Sequence, residues 1–171
     1  MSKQIDFLFE NRKKFIFYNI ISSNENIIKN FSSILHQKLI NNPGLNSFDP
    51  LTFLLLTIDH FNYLEPYLKK LEQLPLEEKK EIVNQKNDYD YTPLMYLCRH
   101  AKKFNSEKAL KLLFKYDLGL DLNIQYKNGW TALMLASRYS NKDSTEKTVE
   151  MLLEKNPNLN LQNKEGFTAL M

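Results

Sequence analysis

Short apolar clusters with helical spacing recur along the chain, and polar breaks divide them into pairs. Leu94, Leu97 and Cys98 fall on one helix face, as do Leu133, Leu135 and Ala136. Each cluster is followed by a polar loop, Lys103 to Ser106 or Ser140 to Thr145. A second stripe then begins: Ala109, Leu112 and Leu113 in one case, Val149, Leu152 and Leu153 in the other. The i, i+3, i+4 spacing predicts amphipathic helices with one buried face each. Further upstream, Phe15 to Ile21, a polar break at Ser22 to Asn26, and Ile27, Ile28, Phe31, Ile34 and Leu35 predict another helix pair. Asn41-Asn42-Pro43-Gly44 closes it with a strong stop signal.

The pairs share a register. Thr52, Thr92, Thr131 and Thr168 are spaced by 40, 39 and 37 residues, and the last two stand in GWTALM and GFTALM. Asn84, Asn123 and Asn160 each precede one of these threonines by eight residues. A polar turn comes before the threonine, at Lys127-Asn128-Gly129 and Lys164-Glu165-Gly166, where glycine allows positive φ at a hairpin tip. The threonine is a candidate helix N-cap, and Pro93 fits the first helical position. One pair of short helices cannot bury its stripes alone, so neighbouring pairs must stack into a solenoid.

Turn, Gly-x-Thr-Pro/Ala-Leu-x-x-Ala, a second helix with a Leu-Leu pair, then Leu-Asn resembles the ankyrin repeat. It reads Gly129-Trp-Thr-Ala-Leu-Met-Leu-Ala136, then Val149 to Leu153, then Asn158-Leu-Asn160. Two units match well, from about Asn84 to Leu161. The unit at Thr52 lacks the glycine but keeps Phe53, Leu54, Tyr67 and Leu68. The units run longer than the family's repeat of about 33 residues. The later units carry the surplus between their two helices, and the Thr52 unit carries it after the second helix, from Leu74 to Val83. Long-looped units of this kind resemble those of amoebal giant viruses and some protists.

The expected architecture is all-α: an ankyrin-like solenoid of helix-turn-helix units with short hairpin fingers. Residues 1–48 are read as a degenerate N-terminal helical cap, with a separate small helical module as the rival reading. Residues 49–171 are read as repeats starting near Thr52, Thr92 and Thr131, with an incomplete one at Thr168. A first helix cut at Met171 would leave Phe167 and Leu170 uncovered. That predicts a fragment of a longer protein, or self-association through an uncapped C-terminal end.

Composition narrows the function classes. The chain of 171 residues is 43% hydrophobic and 25% charged, the profile of a globular domain. The net charge of +3 is spread among alternating Lys and Glu, without the concentrated basic stripe expected of a nucleic-acid binder. No apolar run reaches membrane-spanning length and no secretory signal is visible, so an intracellular protein without membrane contact is expected. The single cysteine, Cys98, rules out an internal disulfide.

No catalytic, cofactor or metal constellation emerges. Cys98 and His100 are two apart on a helix and point in different directions. His60 and His100 occupy matching positions without a third ligand. The residues preceding the threonines, Leu51, Tyr91, Trp130 and Phe167, predict a ladder near the fingers, either packed internally or open to a partner. The family resemblance implies that this position, together with those seven and eight past the threonine, faces a concave groove. These later positions are Asp59 and His60, Arg99 and His100, and Arg138 and Tyr139. The resulting expectation is a non-catalytic protein-binding module whose contacts are Tyr91, Arg99, His100, Trp130, Arg138 and Tyr139. The rivals are an adaptor in a larger assembly, such as a host-directed ubiquitin ligase, and the targeting arm of a longer enzyme.

Overall fold

A computed structural model describes residues 6, 50–56, 58, 63–87, 90–103 and 106–171. The expected N-terminal cap, apart from Asp6, lies outside the described residues, as do His36, Asp59 and His60. Seven α-helices follow in order among the described residues: α1 (Pro50–Leu56), α2 (Leu64–Glu72), α3 (Leu76–Val83), α4 (Pro93–Arg99), α5 (Ser106–Leu113), α6 (Ala132–Tyr139) and α7 (Glu146–Leu153). A 3-10 turn, Ala101–Lys103, links α4 to α5, and no strand occurs among the described residues.

The predicted caps form. The Thr92 and Thr131 hydroxyls each accept the backbone N–H three residues on, from Met95 and Met134, at 3.2 Å. Thr145 does the same for Thr148 at 3.1 Å. Each satisfies one of the free N–H groups at a helix start, and Pro93 adds a residue that has none to satisfy. The Thr52 unit departs from this plan. Its helix starts at Pro50, so Thr52 lies inside α1 rather than ahead of it.

Burial follows helical spacing closely. In α2 the buried residues are Leu64, Tyr67, Leu68 and Leu71, and in α5 they are Ser106, Ala109, Leu110 and Leu113. In α7 they are Thr148, Met151 and Leu152. The buried pair near the end of α7 is Met151 and Leu152. The expected Leu152–Leu153 pair is therefore shifted by one residue, and Leu153 is 39% exposed.

The helices stack in two rows. The first helices pack in sequence, α1 on α4 and α4 on α6, while α2, α5 and α7 form the second row. Within units, α1 packs on α2 and α6 on α7. The surplus after α2 is a third helix, α3, whose Ile82 and Val83 join the core.

The fingers repeat as faithfully as the helices. Asn87, Tyr126 and Asn163 each donate a backbone N–H to the carbonyl four residues on, at Tyr91, Trp130 and Phe167, over 2.9–3.1 Å. The tip residues Asp90, Gly129 and Gly166 all have positive φ, at 66°, 81° and 83°. The unit without glycine therefore places Asp90 in the left-handed region, which aspartate tolerates better than most side chains. Gly129 is needed for a second reason. A β-carbon there would stand 2.8 Å from Asn163 Cα, because Lys164 N–H of the next finger donates to Asn128 C=O at 3.0 Å.

The register asparagines join consecutive units. Asn84 Oδ1 accepts the Asp121 N–H at 2.9 Å while its Nδ2 donates to Gly119 C=O at 2.9 Å. Asn123 Oδ1 accepts the Asn158 N–H at 2.8 Å. A side chain at the end of one unit thus satisfies backbone that leads into the next, which explains the recurrence of that letter.

Candidate functional site

Fingers and first helices bring the expected contact residues onto one surface. Arg99, in the last turn of α4, donates from Nη1 to the Tyr91 hydroxyl at 2.6 Å. Its guanidinium carbon lies 5.7 Å from the Tyr91 ring centre and 5.1 Å from that of Tyr139, at the end of α6. Arg138 lies over Trp130, 4.8 Å from the ring centre. His100 caps α4 and stands 4.7 Å from the Tyr96 ring. All six expected residues are partly or fully exposed.

The aromatic order differs from the expected ladder. Tyr91 stacks on Tyr126, with ring centres 4.7 Å apart and an angle of 24°, and meets Tyr96 edge-on at 6.2 Å. Tyr126 sits across its own finger from Trp130, donating its N–H to the Trp130 carbonyl. Tyr91 therefore reaches the next unit through Tyr126 rather than through Trp130. Leu51 belongs to no ladder, since it is buried within α1. Tyr126 and Tyr96 were missed by matching equivalent positions. The signal that could have found Tyr126 is the four-residue separation across a hairpin.

The electrostatics follow from this packing. Burial pulls the Arg99 pKa down, but the Tyr91, Tyr139 and Tyr126 hydroxyls outweigh it and hold the pKa above the ordinary arginine value. Burial, reinforced by Tyr91, pushes the Tyr126 hydroxyl up to about 12. Neither Arg99 nor Arg138 forms an ion pair with a carboxylate among the described residues. Arg99 Nε is shielded from solvent and has no hydrogen-bond partner.

Cys98 is fully buried, and burial pushes its thiol pKa up, so it has no thiolate character at neutral pH. Among the described residues, no three His, Cys, Asp or Glu side chains converge on a metal-sized site. No described helix is long and apolar enough to cross a membrane. Beyond the last finger, Phe167, Leu170 and Met171 border a cleft of about 510 Å³ with Trp130, Met134 and Arg138.

Two rows of short helices, regular fingers and side chains bridging consecutive units define a stacked helical-repeat protein. Residues 97–171 match the family model for ankyrin repeats, in three copies. The chain is 42% identical over 91 residues to an ankyrin repeat protein of Rickettsia bellii, covering 53% of this chain and 50% of that protein. It is also similar to two ankyrin repeat proteins of Acanthamoeba polyphaga mimivirus. One is 33% identical over 96 residues, covering 48% of this chain and 17% of the viral protein. The other is 40% identical over 83 residues, covering 47% and 13%. The chain thus spans half or less of the length of these relatives.

Proposed function

We propose that the stack is a non-catalytic module that binds a protein partner on the surface formed by its fingers and first helices. Ankyrin repeats generally mediate protein–protein interaction, and the chain's relatives bear names of that family alone. The observation that supports this reading most is the cluster itself: Arg99, Arg138, Trp130 and three tyrosines from successive units gathered on one partly exposed face. Tyr, Trp and Arg are the residues that most often carry interface energy, and a stiff stack presents them with little ordering cost on binding.

Affinity capture with the wild type and with Arg138→Ala as baits tests this. A partner recovered by the wild type should be depleted from the variant, whose melting temperature should fall by no more than a few degrees, because the exposed Arg138–Trp130 contact is worth about 0.5–1 kcal/mol. Equal recovery with both baits, or a much larger fall in melting temperature, would return Arg138 to a structural role. The adaptor and targeting-arm readings would use the same surface, and no feature of the described residues favours them over simple binding. Self-association is a second reading, carried by Phe167, Leu170 and Met171, which are 45%, 75% and 81% exposed beside the Trp130 cleft. Light scattering of the 171-residue chain at several concentrations tests it. A mass that rises with concentration supports the reading, and a constant monomer mass removes it.

A further inference from the structure

We infer that the finger and first-helix surface is built to receive an acidic, extended polypeptide segment, whose carboxylates dock on Arg99 and Arg138. The inference rests on the protein-binding reading above and names the chemistry of the partner.

The two arginines are equivalent residues of consecutive units, on α4 and α6, which pack directly against each other. Helices packed in this way lie roughly 8–10 Å apart. Carboxylates on alternate residues of an extended chain are spaced about 6.6 Å apart, and side chains as long as glutamate and arginine cover the difference. Each cation is held in place by aromatic rings rather than by a carboxylate: Arg99 over Tyr91 and Tyr139, Arg138 over Trp130. The rings hold each guanidinium without neutralising it, and a guanidinium edge matches a carboxylate in a two-bond fork. Arg99 spends Nη1 on the Tyr91 hydroxyl and its Nε is shielded from solvent, so Nη2 is the nitrogen it has left for a carboxylate, while the exposed Arg138 can offer the fork.

The positive charge of this face rests on Arg99 and Arg138, since in sequence the fingers balance Lys86, Lys127 and Lys164 against Asp88, Asp90 and Glu165. Lys86 donates to the Gln125 carbonyl of the next finger, so its charge is anchored on this side. On the opposite row the charges are already matched, as in Lys111–Glu107 and Lys147–Glu150. A single-stranded nucleic acid would also seek cations and rings, but it needs open ring faces on which bases can stack. Here Tyr91 and Tyr126 cover each other, and the arginines cover Tyr139 and Trp130. The edge chemistry therefore favours a peptide.

Trp130 is the only tryptophan, so its fluorescence reports on the Arg138 stack directly. A twelve-residue peptide of alternating Glu and Ala, the same peptide with Lys for Glu, and a twelve-nucleotide oligo-dT serve as probes against the 171-residue chain. The Glu peptide should give a saturable fluorescence change that weakens with salt, and the Lys peptide should give none. Arg138→Gln and Arg99→Gln should each weaken Glu-peptide binding by about tenfold or more. Arg138→Lys should recover only part of that loss, because lysine keeps the charge and loses the fork. Arg138 is exposed, so its variants test the site even if Arg99→Gln unfolds the chain. No binding of the Glu peptide, equal binding by Arg138→Gln, or tighter binding of oligo-dT overturns the inference. If the Glu peptide fails while Arg138→Ala still loses a captured partner, the acidic chemistry is wrong and the binding surface stands.

Discussion

The two helix rows of this solenoid differ in whether their cations have carboxylate partners. Along the second row, charged side chains pair with one another at the surface: Lys111 with Glu107 at 2.6 Å, Lys147 with Glu150 at 2.9 Å, and Lys115 with Glu65 at 2.8 Å. Lys115 holds the Glu65 carboxyl below its usual range, first by a hydrogen bond, and Tyr116 adds a second bond to the same carboxylate. Lys115 and Lys155 of this row also lie over Tyr116 and Phe114, at 5.4 and 5.3 Å. Along the first row, Arg99 and Arg138 lie on rings with no carboxylate partner among the described residues, and finger side chains reach backbone of the next unit. Gln125 Nε2, for example, donates both to its own finger, at Gly129 C=O, and to Gln162 C=O of the next, at 2.7 and 2.8 Å. Exposed ion pairs are exchangeable and screened by salt. Stacked cations and directed amide bonds fix position. One row keeps the stack solvated, and the other holds residues of neighbouring units in register.

Substitutions can break this contrast, and the fingers should respond most. Gly129→Ala combines a left-handed backbone with a 2.8 Å clash against the next finger, so it should cost about 2–4 kcal/mol and lower the melting temperature sharply. Gly166→Ala has no atom within 4 Å and should cost only about 1 kcal/mol, the left-handed penalty alone. Similar losses at the two sites would mean that the fingers are not locked together. Next come the inter-unit asparagines. Asn84→Ala removes an acceptor and a donor that serve Asp121 and Gly119, and should cost about 1–3 kcal/mol by urea unfolding.

Smaller effects sharpen the picture. The raised Tyr126 pKa predicts that this phenol stays protonated in the folded protein until about pH 12, while in the unfolded chain it ionises near its ordinary value of 10. Its contribution to stability is thus complete below about pH 10 and is lost as pH rises towards 12. Tyr126→Phe should flatten that part of the alkaline unfolding curve, and an unchanged curve would count against the Tyr91–Tyr126 stack. Least of all, Lys111→Ala and Glu107→Ala on the second row should leave the melting temperature where it was, at low salt and high salt alike.

Much of the fold was legible because it rests on local chemistry repeated at a fixed interval. Thr92 and Thr131 were readable as caps, and Leu94, Leu97, Cys98 and Leu135 as core, since cap geometry and helical spacing are properties of a few neighbouring residues. Thr52 misled because Pro50 offers an alternative helix start two residues earlier. Leu153 misled because Met151 is as good a core residue as leucine, so the letters alone did not fix which pair points inward. In the candidate site, residue identity was readable and pairing was not. Tyr91 meets Tyr126 rather than Trp130 because hairpin arms face each other across the finger, a relation that matching equivalent letters between units does not contain. The role of Asp90 in place of glycine was hidden for a related reason: a positive φ belongs to the turn and not to a letter.

The claim on which the rest depends is that consecutive units press together so that one unit's cation lies on the next unit's ring. A double-mutant cycle between Arg99 on α4 and Tyr139 on α6 measures it directly, using urea unfolding of the wild type, Arg99→Ala, Tyr139→Ala and the double variant. The predicted outcome is a coupling of about 0.5–1 kcal/mol, the range for a partly exposed cation over an aromatic ring. Strictly additive losses would contradict it and would remove the shared surface on which the proposed recognition is built.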